Sequence, residues 1–136
     1  MNIRGQTGLN IAKQVQLEQF LKTYKIDILN CQEINIDSDS FQDCHFINST
    51  FNIISNNASN KYGTCCLVAS NLQPENIKFD TNGRVILFNI ENVTFGNVYL
   101  PSGNDPFMRN SRENYAAETI PQLLINSKDC GCIGGD

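Results

Sequence analysis

Apolar and polar positions along this chain fall into short blocks whose spacing changes several times. Residues 11–25 predict a helix. Ile11, Val15, Phe20, Leu21 and Tyr24 fall mostly on one face with Leu17 at its edge, and Lys13, Gln16, Glu18 and Lys22 cover the rest. Asn10 suits its N-cap. Residues 26–31 follow as a short, nearly continuous apolar strand, the pattern of a strand covered on both faces. Gln32 and Glu33 then sit just past that strand, and residues 34–43 read as a polar loop. Residues 46–54 alternate loosely, residues 56–61 carry turn chemistry, and residues 63–70 predict a buried strand.

Pro74 marks a connection, and residues 77–80 predict an edge strand. Thr81-Asn82-Gly83 is a hairpin signal, and strands at 84–90 and 93–100 follow, separated by Glu91-Asn92. Together these make an antiparallel meander. Residues 101–110 read as a loop. Residues 111–125 read as a helix capped by Asn110 or Ser111, which Pro121 should kink or split. Residues 130–133 start a strand that runs into Gly134-Gly135-Asp136. The plan is β-α-β, a meander, then α-β, which predicts an α/β fold.

The length of 136 residues allows one domain with its own core, and 40% apolar against 18% charged residues suits a globular chain. No apolar run reaches the roughly 18–20 residues of a membrane span. The N-terminus lacks the basic-then-apolar pattern of a secretory signal. The expectation is an intracellular protein, nuclear or cytoplasmic and not secreted, with no membrane partner. The net charge of -4 argues against non-specific coating of nucleic acid, which needs a basic surface. It leaves room for a hydrolytic site, whose carboxylates lower the net charge. The six cysteines form no Cys-x-x-Cys pair, so zinc is poorly supported; they read as free, buried thiols with no disulfide-linked partner.

Candidate chemistry gathers at strand ends. Glu33 follows a buried strand and suits a Mg²⁺ ligand, or else is a solvated loop acid or a helix-capping residue. Asp136 follows two glycines that let backbone approach a ligand; it either orients a water or closes an Asx-turn. Tyr99 near its strand end can donate to a phosphate oxygen or simply pack in the sheet. Asn2 can bond a metal-bound water, or stand exposed. Arg109 and Arg112 open the second helix in this reading, and form either a phosphate clamp or a solvated helix start. His45 is the only histidine and has no partner spacing.

Taken together, these residues resemble the endonuclease/exonuclease/phosphatase superfamily with its deoxyribonuclease I-like fold. The likeness lies in Asn2 within Asn-Ile-Arg-Gly, Glu33 within Leu-Asn-Cys-Gln-Glu, Tyr99 within Asn-Val-Tyr-Leu-Pro-Ser-Gly, and Asp136 within Gly-Gly-Asp. The phrasing of residues 97–103, of Arg112-Glu113-Asn114-Tyr115 and of residues 133–136 is most similar to endonuclease domains of non-LTR (LINE-type) retrotransposons.

The resemblance implies a four-layer α/β sandwich. Glu33 would hold Mg²⁺ or Mn²⁺ with Asn2 beside it, Tyr99 would contact the scissile phosphate, and Asp136 would align or activate the attacking water. Ser102, Asn104, Arg109 and Arg112 would line a DNA groove in the full-length protein. The reaction would be nicking of a DNA phosphodiester, which in such an element primes reverse transcription. An abasic-site nuclease, an RNA deadenylase or a phosphatase are the alternatives within the superfamily, and a non-catalytic remnant or interaction module is the alternative outside it. The resemblance covers residues 1–136 as a partial domain. The expectation is therefore that the C-terminal half is missing, that the second sheet is largely absent with the first sheet's inner face exposed, and that the fragment is inactive alone.

Overall fold

A computed structural model of the chain describes residues 11–34, 45–57, 63–127 and 130–135. In chain order the elements are α1 (Ile11–Tyr24), β1 (Ile28–Ile34), α2 (His45–Thr50), β2 (Phe51–Asn56), β3 (Gly63–Ala69), β4 (Glu75–Phe79), β5 (Val85–Ile90), β6 (Val93–Val98), α3 (Pro106–Asn114), a π-helical turn (Tyr115–Thr119), α4 (Ile120–Leu124) and β7 (Cys130–Gly135).

The strands form two sheets. One is antiparallel with the order β1-β3-β2. The other has the order β4-β5-β6-β7, and only its β6–β7 pair is parallel. A parallel neighbour needs a crossover, and the helical segment from α3 to α4 supplies it. The expected exposed inner face is therefore not found. Ile54, Cys66 and Val68 of the first sheet pack with Ile86 and Phe88 of the second, and Phe88 stacks on Phe95 at 5.8 Å. The meander supplies most of the second sheet locally: tight turns after Asp80 and Ile90 pair β4, β5 and β6 without distant residues.

Helices cover the outer faces. Leu17 and Leu21 of α1 pack with Leu29, Cys31, Cys65 and Leu67. Tyr115 packs with Val85, Leu87 and Val98, and Leu123 and Leu124 flank that cluster. The result is helix, sheet, sheet, helix: the four layers expected. β3 and β5 are interior strands between these layers, which is why β3 is buried throughout and β5 at all but its last residue.

Several local expectations change. The buried stripe of α1 is Leu17 and Leu21, whereas Val15, Phe20 and Tyr24 are exposed; the helix turns its leucines, not its aromatic edge, to the sheet. Residues 46–50 coil into α2 before β2 begins, because Ile47 at helical spacing reaches the α1-side core. α3 starts at Pro106, five residues earlier than the apolar stripe suggested. Asp105 is its N-cap, its carboxylate accepting from the Met108 amide at 3.0 Å, with proline in the first turn.

Pro121 splits the helix without ending it: helical backbone runs on from α3 through the π turn into α4. It has no N–H and would clash with a carbonyl four residues back. The π turn before it resolves this, with the Ile120 amide donating five residues back to Tyr115. β4 is an edge strand, as its sequence predicts, but begins at Glu75 and bulges before Lys78. Lys78 donates to the Leu123 and Ile125 carbonyls at 2.8 and 2.7 Å. It thereby puts a cation on the C-terminal end of α4 and a charge on the edge.

Candidate active site at one end of the sandwich

The strand registers bring several ends together. Ile34 of β1 pairs with Gly63 of β3, Val85 of β5 pairs with Val98 of β6, and Val98 in turn pairs with Gly135 of β7. The end of β1, the β4–β5 turn, the end of β6 and the end of β7 thus share one end of the sandwich.

Glu33 lies inside β1 rather than past it, at a register shift between Gln32 and Ile34. Its φ is 56°, the left-handed region. Of the other non-glycine residues with positive φ, Lys25 and Asn126 follow helices and Glu91 lies in a hairpin turn, where such backbone is common, and Asn76 lies at the bulge of edge strand β4. Glutamate in that conformation within a strand costs about 1–3 kcal/mol and persists only where the surroundings hold it. The bulge re-aims the carboxylate. Its Oε1 accepts a hydrogen bond of 2.9 Å from the Tyr99 hydroxyl.

Tyr99 is buried, and burial pushes its phenol above the ordinary tyrosine range; the Glu33 carboxylate adds to the rise, while Arg84 and a bond from Ser102 oppose it. The phenol therefore keeps its proton at neutral pH. The Arg84 guanidinium lies 5.2 Å from the ring centroid and also donates to the Tyr99 carbonyl at 3.3 Å.

Behind this pair the two sheets are stitched by buried amides. Gln32 Nε2 donates to Asn97 Oδ1 at 3.1 Å and to the Val98 carbonyl at 3.3 Å. Asn97 Nδ2 donates to the Cys31 carbonyl at 2.9 Å and the Cys65 carbonyl at 3.1 Å. Asn30 Nδ2 donates to the Gly96 carbonyl at 2.9 Å. An unmade bond here would cost about 1–3 kcal/mol, so these groups fix how β1 sits on β6 and hence where Glu33 meets Tyr99. Nothing in the sequence pattern marked Gln32 and Asn97 as a pair, because they lie 65 positions apart.

Sequence reading also passed over Asp80. It is buried at the β4–β5 turn. Its Oδ1 accepts from the Arg84 and Val85 amides and from Asn56 Nδ2 at 2.7–2.9 Å, and its Oδ2 accepts from the Asn82 amide at 3.1 Å and the Tyr115 hydroxyl at 2.9 Å. An Asp just before a hairpin turn is an Asx-turn signal that could have found it.

Arg112 donates to the Pro101 and Gly103 carbonyls at 2.9 and 2.7 Å, which ties the loop after Tyr99 to α3. Arg109 is exposed and pairs with Glu113 at 3.3 Å. Both arginines lie within α3, not at its first residues. Ser102 and Asn104 are exposed on the intervening loop. Asn2 and Asp136 lie outside the described residues, as does the side chain of His45.

Among the described residues no three His, Cys, Asp or Glu side chains are grouped so as to hold a metal ion. The donor that Glu33 offers is a hard oxygen, which fits Mg²⁺ or Mn²⁺ held by one or two carboxylates with waters and substrate phosphate. A thiolate site does not fit. Cys31, Cys65 and Cys66 are free and buried, and burial pushes Cys31 up to about 11, Cys66 up to about 12 and Cys65 well above its ordinary value. Cys132, also free, is exposed rather than buried as expected. No described helix is long and apolar enough to cross a membrane.

No protein-family model matches the chain, and no curated protein does. Solved structures do. An AP endonuclease from Archaeoglobus fulgidus superposes with a TM-score of 0.72 at 20% identity, over 92% of this chain and 52% of that one. The 3'-5' exonuclease NExo from Neisseria meningitidis does so with a TM-score of 0.72 at 22% identity, over 95% and 54%. Truncated Caenorhabditis elegans TDP2 gives 0.61 at 16% identity, over 92% and 54%. All are of the endonuclease/exonuclease/phosphatase superfamily, and this chain has their deoxyribonuclease I-like fold. It spans about half the length of each.

Proposed function

We propose that the chain is part of a metal-assisted phosphodiesterase that nicks DNA, with its chemistry at the Glu33–Tyr99 end of the sandwich. The observation that carries this reading is Glu33 itself, a carboxylate held at a φ of 56° within a strand and hydrogen-bonded by a buried tyrosine. Strain of that kind concentrates at functional sites. Similarity of fold to DNA-processing enzymes, one of them a Neisseria 3' phosphatase bound to a product DNA hairpin, supports the substrate class.

In this reading Glu33 holds Mg²⁺ or Mn²⁺, with Asn2 as a neighbouring donor. When bound, the cation would neutralise charge developing on the phosphate and lower the pKa of a coordinated water. Tyr99, protonated at neutral pH, donates to a phosphate oxygen once substrate competes for its hydroxyl. Asp136 directly follows Gly135, which is registered against Val98, and would orient the attacking water. Arg112 holds the loop that presents Ser102 and Asn104 to the strand. Arg109 can exchange its exposed Glu113 partner for a phosphate at little cost, since such surface pairs are worth about 0–1 kcal/mol. The motif phrasing of residues 97–103 and 133–136 supports a retrotransposon-type endonuclease within that reading.

The test is nicking of supercoiled plasmid with Mg²⁺, by this chain and, where the reading frame continues past Asp136, by the extended product. The expected result is nicking by the extended product, lost with EDTA and reduced at least about 10²-fold by Glu33→Ala. A well-folded extended product that does not nick, or a Glu33→Ala variant that nicks normally, would overturn the reading. Cleavage confined to abasic or 3'-phosphate substrates would move it to repair chemistry.

A further inference from the structure

A second feature occupies the same end of the sandwich, on the outer side of the second sheet. A cavity of about 280 Å³ opens between the β4–β5 turn and the helical segment from α3 into the π turn. The turn is joined to the Tyr99 strand end directly, because the Tyr99 amide donates to the Arg84 carbonyl at 2.8 Å.

Its lining is chemically unusual for this chain. No lining side chain is charged. Three are carboxamides, Asn82, Asn110 and Asn114, and two are aromatic, Phe107 and Tyr115. The floor is rigid. Asn82 Nδ2 donates to the Tyr115 hydroxyl at 2.8 Å, that hydroxyl donates to the buried Asp80, and the π turn starts at Tyr115. π turns inside helices recur at functional sites. The rim is the opposite: Phe107 is 76% exposed, so its ring face serves no core.

We propose that this cavity is a nucleobase-binding site, seating one unpaired base of the strand whose phosphate lies at Tyr99. Carboxamides offer paired donors and acceptors in a plane, the complement of a base edge and of adenine above all. An exposed aromatic ring beside a polar floor stacks any base. The uncharged lining disfavours a phosphate inside, and leaves phosphates to Arg109 on the same helix. The volume suits one base with part of its sugar and lies just below the range of drug-sized pockets. That the base comes from a bound strand rests on the nuclease reading; that a base binds does not.

The experiment titrates adenosine into ¹⁵N-labelled chain and follows the side-chain amide resonances of Asn82, Asn110 and Asn114, with ribose 5-phosphate as control. The expected result is saturable movement of these resonances with adenosine and none with ribose 5-phosphate. Phe107→Ala should weaken adenosine binding at least about fivefold, as loss of a stacking partner does; its exposed position leaves folding intact. Glu33→Gln should bind adenosine as the parent does. Resonances that stay still with adenosine, that move equally with ribose 5-phosphate, or that titrate unchanged in Phe107→Ala would each overturn the site. A chain that binds adenosine here while its extended product never nicks DNA keeps the site and discards the nuclease reading. Nicking without adenosine binding does the reverse.

Discussion

At the scale of single residues, this structure places its costs where few contacts are spare. Glu33 sits in strained backbone, and Asp80 is a buried carboxylate that receives donors on both oxygens. An Asp80→Asn substitution keeps the shape and turns one acceptor into a donor. Whichever way the amide points, it faces at least one N–H that can only donate: Asn82 on one side, Arg84 and Val85 on the other. The expected loss is about 2–3 kcal/mol, read from the urea midpoint with an unchanged slope. An unchanged midpoint would mean that water enters the turn. Asp80 illustrates what the sequence hides. Its local amide partners are implied by an Asp before a turn, but Tyr115, 35 positions on, is not.

At the scale of elements, periodicity found every described strand; its misses are α2 and the starts of β1, β2, β4 and α3. β3 and β5 were legible because both faces are buried and almost every position is small or apolar, Asn89 being the exception. α3 was read too late because no residue in it is buried; its beginning is marked by Asp105 and Pro106, not by a stripe. α1 misled in the other direction, since its exposed Phe20 and Tyr24 pack on each other at 5.0 Å rather than on the sheet. Glu33 and Tyr99 were legible as strand-end polar residues, but their contact is set by the sheet-to-sheet amides.

The glycines of β7 gain a packing reason as well. A Cβ on Gly135 would stand 2.0 Å from the Val98 carbonyl oxygen, so nothing larger fits without moving the strand. Gly135→Ala should therefore detach the end of β7 from β6. Backbone amide exchange would show it: protection lost at the 133–135 end of β7 and retained in β3 and β5. Protection kept along β7 would contradict the close approach.

At the scale of the whole molecule, three buried thiols and two buried phenols lean one way. Burial raises Cys31 to about 11 and Cys66 to about 12, and it raises Cys65, Tyr99 and Tyr115 as well. Each therefore holds its proton more tightly in the folded chain than in the unfolded one. Above the unfolded thiol value of 9.0, the unfolded chain binds fewer protons than the native one, so stability falls as pH rises. It is undiminished by these groups below pH 9 and is lost progressively through about 11 to 12. Denaturant titrations at pH 7.5 and pH 10.5 should show that loss, and Cys66→Ala should make it shallower. A stability that is flat across that range would mean the thiols are hydrated.

The amide stitching between the sheets also has a kinetic side. Asn97 is fully buried, and its carboxamide nitrogen reaches the Cys31 carbonyl on one strand and the Cys65 carbonyl on the next. Its protons meet solvent only when the two sheets separate. Their deuteration rate is therefore a clock built into the fold, timing how often the surface that carries Glu33 parts from the one that carries Tyr99.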